Sequence, residues 1–110
     1  MPQPTAPFTL RDLEAIISAR AGDSAKTSYT RKLLDRGVAH CAKKFGEEAV
    51  ESVIAALGDD KDHFAAECAD ALYHLLVLLR ARGISLAEVE TILGARTKMS
   101  GLEEKASRAP

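Results

Sequence analysis

The sequence predicts an all-α fold, a small bundle of about five helices in which two long antiparallel helices carry paired acidic residues. Three observations predict it. Ala and Leu are abundant while aromatic residues make up only 5% of the chain, a composition of strong helix formers. Apolar residues recur at three- and four-residue spacing in the segments between turn signals. Glycines at 22, 37, 58 and 83 then punctuate those segments where a helix would stop.

The 110 residues support one hydrophobic core, so the chain reads as a single domain over 1–110, with 1–7 as a flexible lead and 97–110 as a C-terminal tail. Thr9 followed by Asp12 forms a capping box for a first helix, with Leu10, Leu13, Ile16 and Ile17 on its apolar face, running to about Ala21. GDSAKTS, residues 22 to 28, is a polar loop whose Ser28 caps a short second helix from Tyr29 to Arg36. A third helix extends from Val38 to Leu57, with Val38, Phe45, Ala49, Val53, Ile54 and Leu57 as a broad apolar face. After the tight link GDDKD, a fourth runs from about Asp62 to Arg82. So short a connection makes the third and fourth helices antiparallel neighbours. Ser85 and Glu88 form a full capping box for a fifth helix through Val89, Ile92 and Leu93. The following residues, TKMSGLEEKASRAP, have little periodicity and read by default as a mobile terminus.

Net charge is −1, from 15 basic and 16 acidic residues, so no overall field draws the chain to nucleic acid or to an anionic membrane. The longest strongly apolar run, Leu75 to Leu79, is far shorter than the roughly 20 residues of a membrane span. MPQPTAPF lacks the basic and apolar regions of a signal peptide. The cytoplasm is the expected setting, with Cys41 and Cys68 as reduced thiols in apolar surroundings.

The chemistry concentrates in KFGEEAVE, residues 44 to 51, and ECAD, residues 67 to 70. Glu48 and Glu51 are three apart on one helix, and Glu67 and Asp70 are three apart on the next, so each pair projects from one face. Taken alone, the first set reads as a solvated helix face. The fourth helix is apolar almost all round from 67 to 79, however, and ionised carboxylates beside a core are costly unless paired or bound to metal. If the pairs meet, their repulsion requires a cation. That cation is either a basic side chain, with Lys43, Lys44, Lys61 and Arg80 available, or a metal. An all-carboxylate set suits Mg²⁺ or Mn²⁺ rather than zinc, and Mg²⁺ held this way completes its shell with water and phosphate. His74, four residues after Asp70, is either a partner donating to that carboxylate or a core histidine. His40 and His63 show no comparable geometry. Gly46, in mid-helix, costs about 1 kcal/mol against Ala and so marks a close helix contact or a ligand approach.

EEAVE followed by ECAD resembles the EExxE and ExxD motif pair of the all-α nucleoside-triphosphate pyrophosphatases. Within that superfamily, SYTRKLLDRG at 28–37, KKFGEEAVE at 43–51, ADALYHLLVLL at 69–79 and SGLEEKASR at 100–108 are similar to the phosphoribosyl-ATP pyrophosphohydrolases of histidine biosynthesis, over nearly all of Phe8 to Arg108. The resemblance implies Mg²⁺-dependent hydrolysis of phosphoribosyl-ATP to phosphoribosyl-AMP and pyrophosphate. It places the metal ligands at Glu48, Glu51, Glu67 and Asp70, with Glu47 as the acid that orients or deprotonates water. Lys32 and Lys44 become candidates for neutralising phosphate and Tyr29 for stacking on the base. Arg96 and Lys105 become candidates for reaching phosphate if the tail folds over the site. The resemblance also implies a homodimer with the site near the subunit interface, which an exposed apolar face on the first or fourth helix would support. The alternatives are a housecleaning nucleoside-triphosphate pyrophosphatase of the same superfamily and a non-catalytic helical interaction module.

Overall fold

A computed structural model describes residues 6–98 and 101–108, with the side chains of 102–104 outside the description. The described residues are helical, with no strand among them. The helices are α1 (Leu10–Arg20), α2 (Tyr29–Asp35), α3 (Val38–Ala56), α4 (Lys61–Arg82), α5 (Leu86–Arg96) and α6 (Gly101–Ser107).

The capping chemistry sets most of these boundaries. Thr9 Oγ1 accepts from the Asp12 N–H at 3.2 Å while the Asp12 carboxylate accepts from the Thr9 N–H at 2.9 Å, so the box closes in both directions. Ser85 and Glu88 do the same for α5. Ser28 caps α2 and Asp60 caps α4, each through its side-chain oxygen. Gly37 links α2 to α3 at φ 90°, and Gly83 ends α4 at φ 71°, both in the region that side chains disfavour. Beyond Gly83 the Ile84 N–H donates to the Leu79 carbonyl at 2.9 Å, satisfying an end carbonyl of α4.

α6 is a sixth helix, in part of the chain whose weak periodicity predicts a mobile terminus. Its sequence, GLEEKAS, holds mostly good helix formers, with Lys105 in the last turn where a cation complements the helix dipole.

α3 and α4 are the long antiparallel pair joined through the turn at 57–60, and the core sits at one end of it. Ile17 of α1, Leu33 of α2, Cys41 of α3, Leu76 and Val77 of α4 and Leu86 of α5 form one buried cluster. The other end of the pair is thinly covered. Val50, Val53, Ile54, Leu57 and Phe64 are all exposed there, Leu57 to 85%. The apolar face expected of α3 is therefore present but largely uncovered within the chain. The exposed apolar surface lies chiefly on α3 rather than on the first or fourth helix, because α1, α2 and α5 all pack toward the opposite end of the hairpin.

Candidate metal and phosphate site

The α3–α4 pairing brings the acidic motifs together. One carboxylate oxygen from each of Glu48, Glu67 and Asp70 lies within 4.8 Å of the others. Glu51 stands outside this trio but close enough to act on it. The Glu48 carboxyl is pushed above the usual range by desolvation first and by the Glu51 charge next, and Glu67 is pushed up by the same two causes in the same order. Glu67 Oε2 is buried without a hydrogen-bond partner. Mutual repulsion and an unpartnered buried oxygen are what a hard divalent cation would relieve, so the donor set fits Mg²⁺ or Mn²⁺.

Lys43 and Lys44 make their ion pairs outside the trio. Lys44 Nζ lies 3.2 Å from Glu47 and Lys43 Nζ lies 4.0 Å from it, so both lysine pairs go to the acid outside the trio. Arg80 instead donates to Ser18 Oγ at 3.4 Å. Glu47 therefore projects from a different flank of α3, tied to Lys44, whose ammonium it holds protonated more firmly than usual.

Two further residues support the acids: Ser52, and His63, whose placement beside Glu67 corrects the expectation that it has no such geometry. Ser52 Oγ lies 2.9 Å from the carbonyl oxygen of Glu48 and 2.9 Å from that of Glu67, so one hydroxyl spans both motif helices at ligand positions. His63 Nε2 lies 3.9 Å from Glu67 Oε1, an ion pair when the imidazole is protonated. Ser at 52 carries no sequence signal of its own. His63 stands four residues before Glu67, and that helical spacing is a signal which could have found it.

His74 makes no hydrogen bond to Asp70 among the described residues. It is buried, with its ring edge against Tyr73 at a centroid distance of 5.1 Å and against Tyr29 at 6.2 Å. Desolvation, and then the Lys44 charge, keeps it neutral to lower pH than usual. Tyr29 stacks loosely on Tyr73 with centroids 6.4 Å apart, and the Tyr73 hydroxyl meets Thr30 Oγ1 at 2.6 Å. This aromatic group anchors α2 to α4 beside the acids.

Tyr29, Lys32 and Lys44 share one cleft of about 330 Å³ with Leu33, Arg36 and His40. Arg96 stands in the last turn of α5, an element anchored on α1 by the Arg11–Glu90 ion pair at 2.5 Å. A Cβ at Gly46 would meet nothing within 4 Å, so no close helix contact within the chain explains that glycine. A larger cavity of about 590 Å³ lies between α1 and the end of α4, lined by Ile17, Leu76 and Leu79 among others. Its acid, Glu14, accepts from the Leu86 N–H at 2.7 Å and so serves to fix α5.

The family model described as phosphoribosyl-ATP pyrophosphohydrolase matches residues 10–97, a span that holds α1 through α5 and all four acids. The chain belongs to this family. Phosphoribosyl-ATP pyrophosphohydrolase relatives match along most of their length. Phosphoribosyl-ATP pyrophosphatase 1 of Bradyrhizobium diazoefficiens is 67% identical over 101 residues, covering 92% of this chain and 95% of the relative. The protein of the same name from Rhodopseudomonas palustris is 62% identical, covering 94% and 96%. Phosphoribosyl-ATP pyrophosphatase of Nitrobacter hamburgensis is 60% identical, covering 92% and 94%. Among the described residues, no helix of this family member is long and apolar enough to cross a membrane.

Proposed function

We propose that this chain hydrolyses phosphoribosyl-ATP between the α and β phosphates, releasing phosphoribosyl-AMP and pyrophosphate in the cytoplasm, with Mg²⁺ held by Glu48, Glu51, Glu67 and Asp70. The observation that carries the metal assignment is the convergence of Glu48, Glu67 and Asp70 within 4.8 Å, with Glu67 Oε2 buried and unpartnered, in a chain of this family.

A bound divalent cation supplies charge for the phosphate oxygens and lowers the pKa of water. The residues of the chain do the rest. Ser52 fixes the spacing of the α3 and α4 backbones at Glu48 and Glu67. Lys44 places positive charge at the mouth of the site, where it offsets the charge that develops on the leaving pyrophosphate, and Lys32 adds a positive charge in the adjoining cleft. Glu47, held by Lys44, accepts a proton from water approaching on its flank of α3. Tyr29, 54% exposed, offers a ring face to the adenine, while half-buried Tyr73 and buried His74 keep that ring in place.

Val50, Val53, Ile54 and Leu57 form the contact face of a homodimer. Apolar side chains gathered on the uncovered end of a hairpin gain by burial against a second copy.

The deciding experiment incubates purified protein with phosphoribosyl-ATP and with a panel of nucleoside triphosphates, with Mg²⁺ and with chelator, and identifies the products. Phosphoribosyl-AMP and pyrophosphate should appear only with the metal. Faster turnover of a canonical or damaged triphosphate would replace this substrate with a housecleaning role, and inertness toward all of them would leave a helical interaction module.

A further inference from the structure

Away from the carboxylates, uncompensated charge gathers in the cleft between α2 and the first half of α3. Lys32, Arg36, His40 and Lys44 recur every four residues across the Gly37 turn, and all four line that one cleft. The acid of α2 does not neutralise them, since Asp35 is bound to Arg31 at 2.7 Å. Lys44 is paired with Glu47 at the end nearest the metal ligands. Lys32 and Arg36 have no acidic partner among the described residues, and desolvation first, then the charges of Arg36, Lys43 and Lys44, act against protonation of His40. The apolar floor is Leu33, only 2% exposed. Like charges held together over a closed floor favour an anion with several acceptor oxygens.

The cleft is also at a useful distance from the acids. His40 precedes Glu48 by eight residues on the same helix, a rise of about 12 Å, and Arg36, the C-cap of α2, lines the same cleft. A ligand carrying phosphate at both ends of one nucleoside can reach both places. Phosphoribosyl-ATP is such a molecule, with a triphosphate at one end and a ribose 5-phosphate on the far side of the adenine.

We propose that Arg36 and His40, together with Lys32, bind the 5-phosphate of the phosphoribosyl arm, so that this cleft selects phosphoribosyl-ATP over ATP. This rests on the substrate proposed above. Lys44 belongs to the triphosphate side, and Tyr29 lies between the two phosphates against the base.

Arg36→Ala and His40→Ala test it through two quantities, the KM for phosphoribosyl-ATP and the Ki of ATP as a competitor. Each variant should narrow the preference for phosphoribosyl-ATP at least tenfold, mainly by raising KM, and Arg36→Lys should recover part of the loss. An unchanged preference, or equal weakening toward both nucleotides, would overturn the proposal. A second measurement is independent of turnover. Ribose 5-phosphate titrated into the metal-free protein should shift backbone amide resonances of residues 29 to 44, and Arg36→Ala should abolish those shifts. Shifts that are absent, or centred on Glu67 and Asp70, also overturn it. A wild type inert toward phosphoribosyl-ATP refutes the substrate reading, and the ribose 5-phosphate titration then decides the cleft by itself.

Discussion

The Ser52 hydroxyl on α3 sits 2.9 Å from the backbone carbonyl oxygen of Glu67 on α4. The same oxygen lies 2.9 Å from the carbonyl of Glu48, so its single proton is shared between the two helices that supply the acids. Ser52→Ala removes that link. The expected cost is about 1 kcal/mol, or a fall in Tm of several degrees for a domain of this size. Mg²⁺ affinity should fall with it, because the backbones carrying Glu48 and Glu67 are no longer joined. Thermal melts with and without Mg²⁺ measure both effects, and an unchanged Tm contradicts the link.

Glu67→Gln separates catalysis from stability. It removes a charge that repels Glu51 and Asp70 in the metal-free chain, so the metal-free Tm should hold or rise while turnover falls at least about 100-fold through loss of a metal ligand. Asp70→Asn should follow the same pattern. Retained turnover in both variants would remove these acids from the reaction.

The acids also set a pH dependence. Glu48 and Glu67 are raised by desolvation and then by Glu51, so the folded metal-free chain keeps protons that the unfolded chain has released. Its stability should therefore fall as pH rises from the ordinary glutamate pKa of about 4.3 through the raised folded values. Mg²⁺ binds the ionised carboxylates, so the gain in Tm on adding it should grow across that window. Calorimetric scans with and without Mg²⁺ over roughly pH 4 to 7 check this, and a gain in Tm that does not vary with pH contradicts it.

Tyr73→Phe tests the joint between α2 and α4. It leaves the Thr30 hydroxyl, on a residue only 1% exposed, without its 2.6 Å partner. An unpaired buried hydroxyl costs about 1–3 kcal/mol, which urea unfolding would resolve. The Phe ring keeps the stacking contact with Tyr29, so KM for the nucleotide should stay near the wild-type value.

Ile54→Asp tests the uncovered face of α3. Ile54 is 64% exposed, so the substitution leaves a monomer's folding almost untouched, within about 0.5 kcal/mol. In a homodimer it places a charge in a dry contact. Wild type should sediment as a dimer and the variant as a monomer, whereas a monomeric wild type would refute the dimer.

The first five helices and the two acid pairs, though not α6, are legible in the sequence because they depend on near neighbours in the chain. Thr9 with Asp12, Ser85 with Glu88, and the positive-φ glycines Gly37 and Gly83 act within one turn of where they stand. Glu48 with Glu51 and Glu67 with Asp70 share a helix face because three residues make nearly one turn. Only the tertiary structure decided which acids meet. The register of α3 against α4, fixed by the turn at 57–60 and by packing, joined Glu48 to Glu67 and Asp70 and left Glu51 at the margin. That register also gave Ser52 two carbonyls to bridge, while the packing of α2 on α3 gathered Arg36 and His40 into the cleft with Lys32. A hydropathy pattern shows that a face such as Val53, Ile54 and Leu57 is apolar. What covers that face depends on where distant helices pack, and here α1, α2 and α5 all pack at the other end.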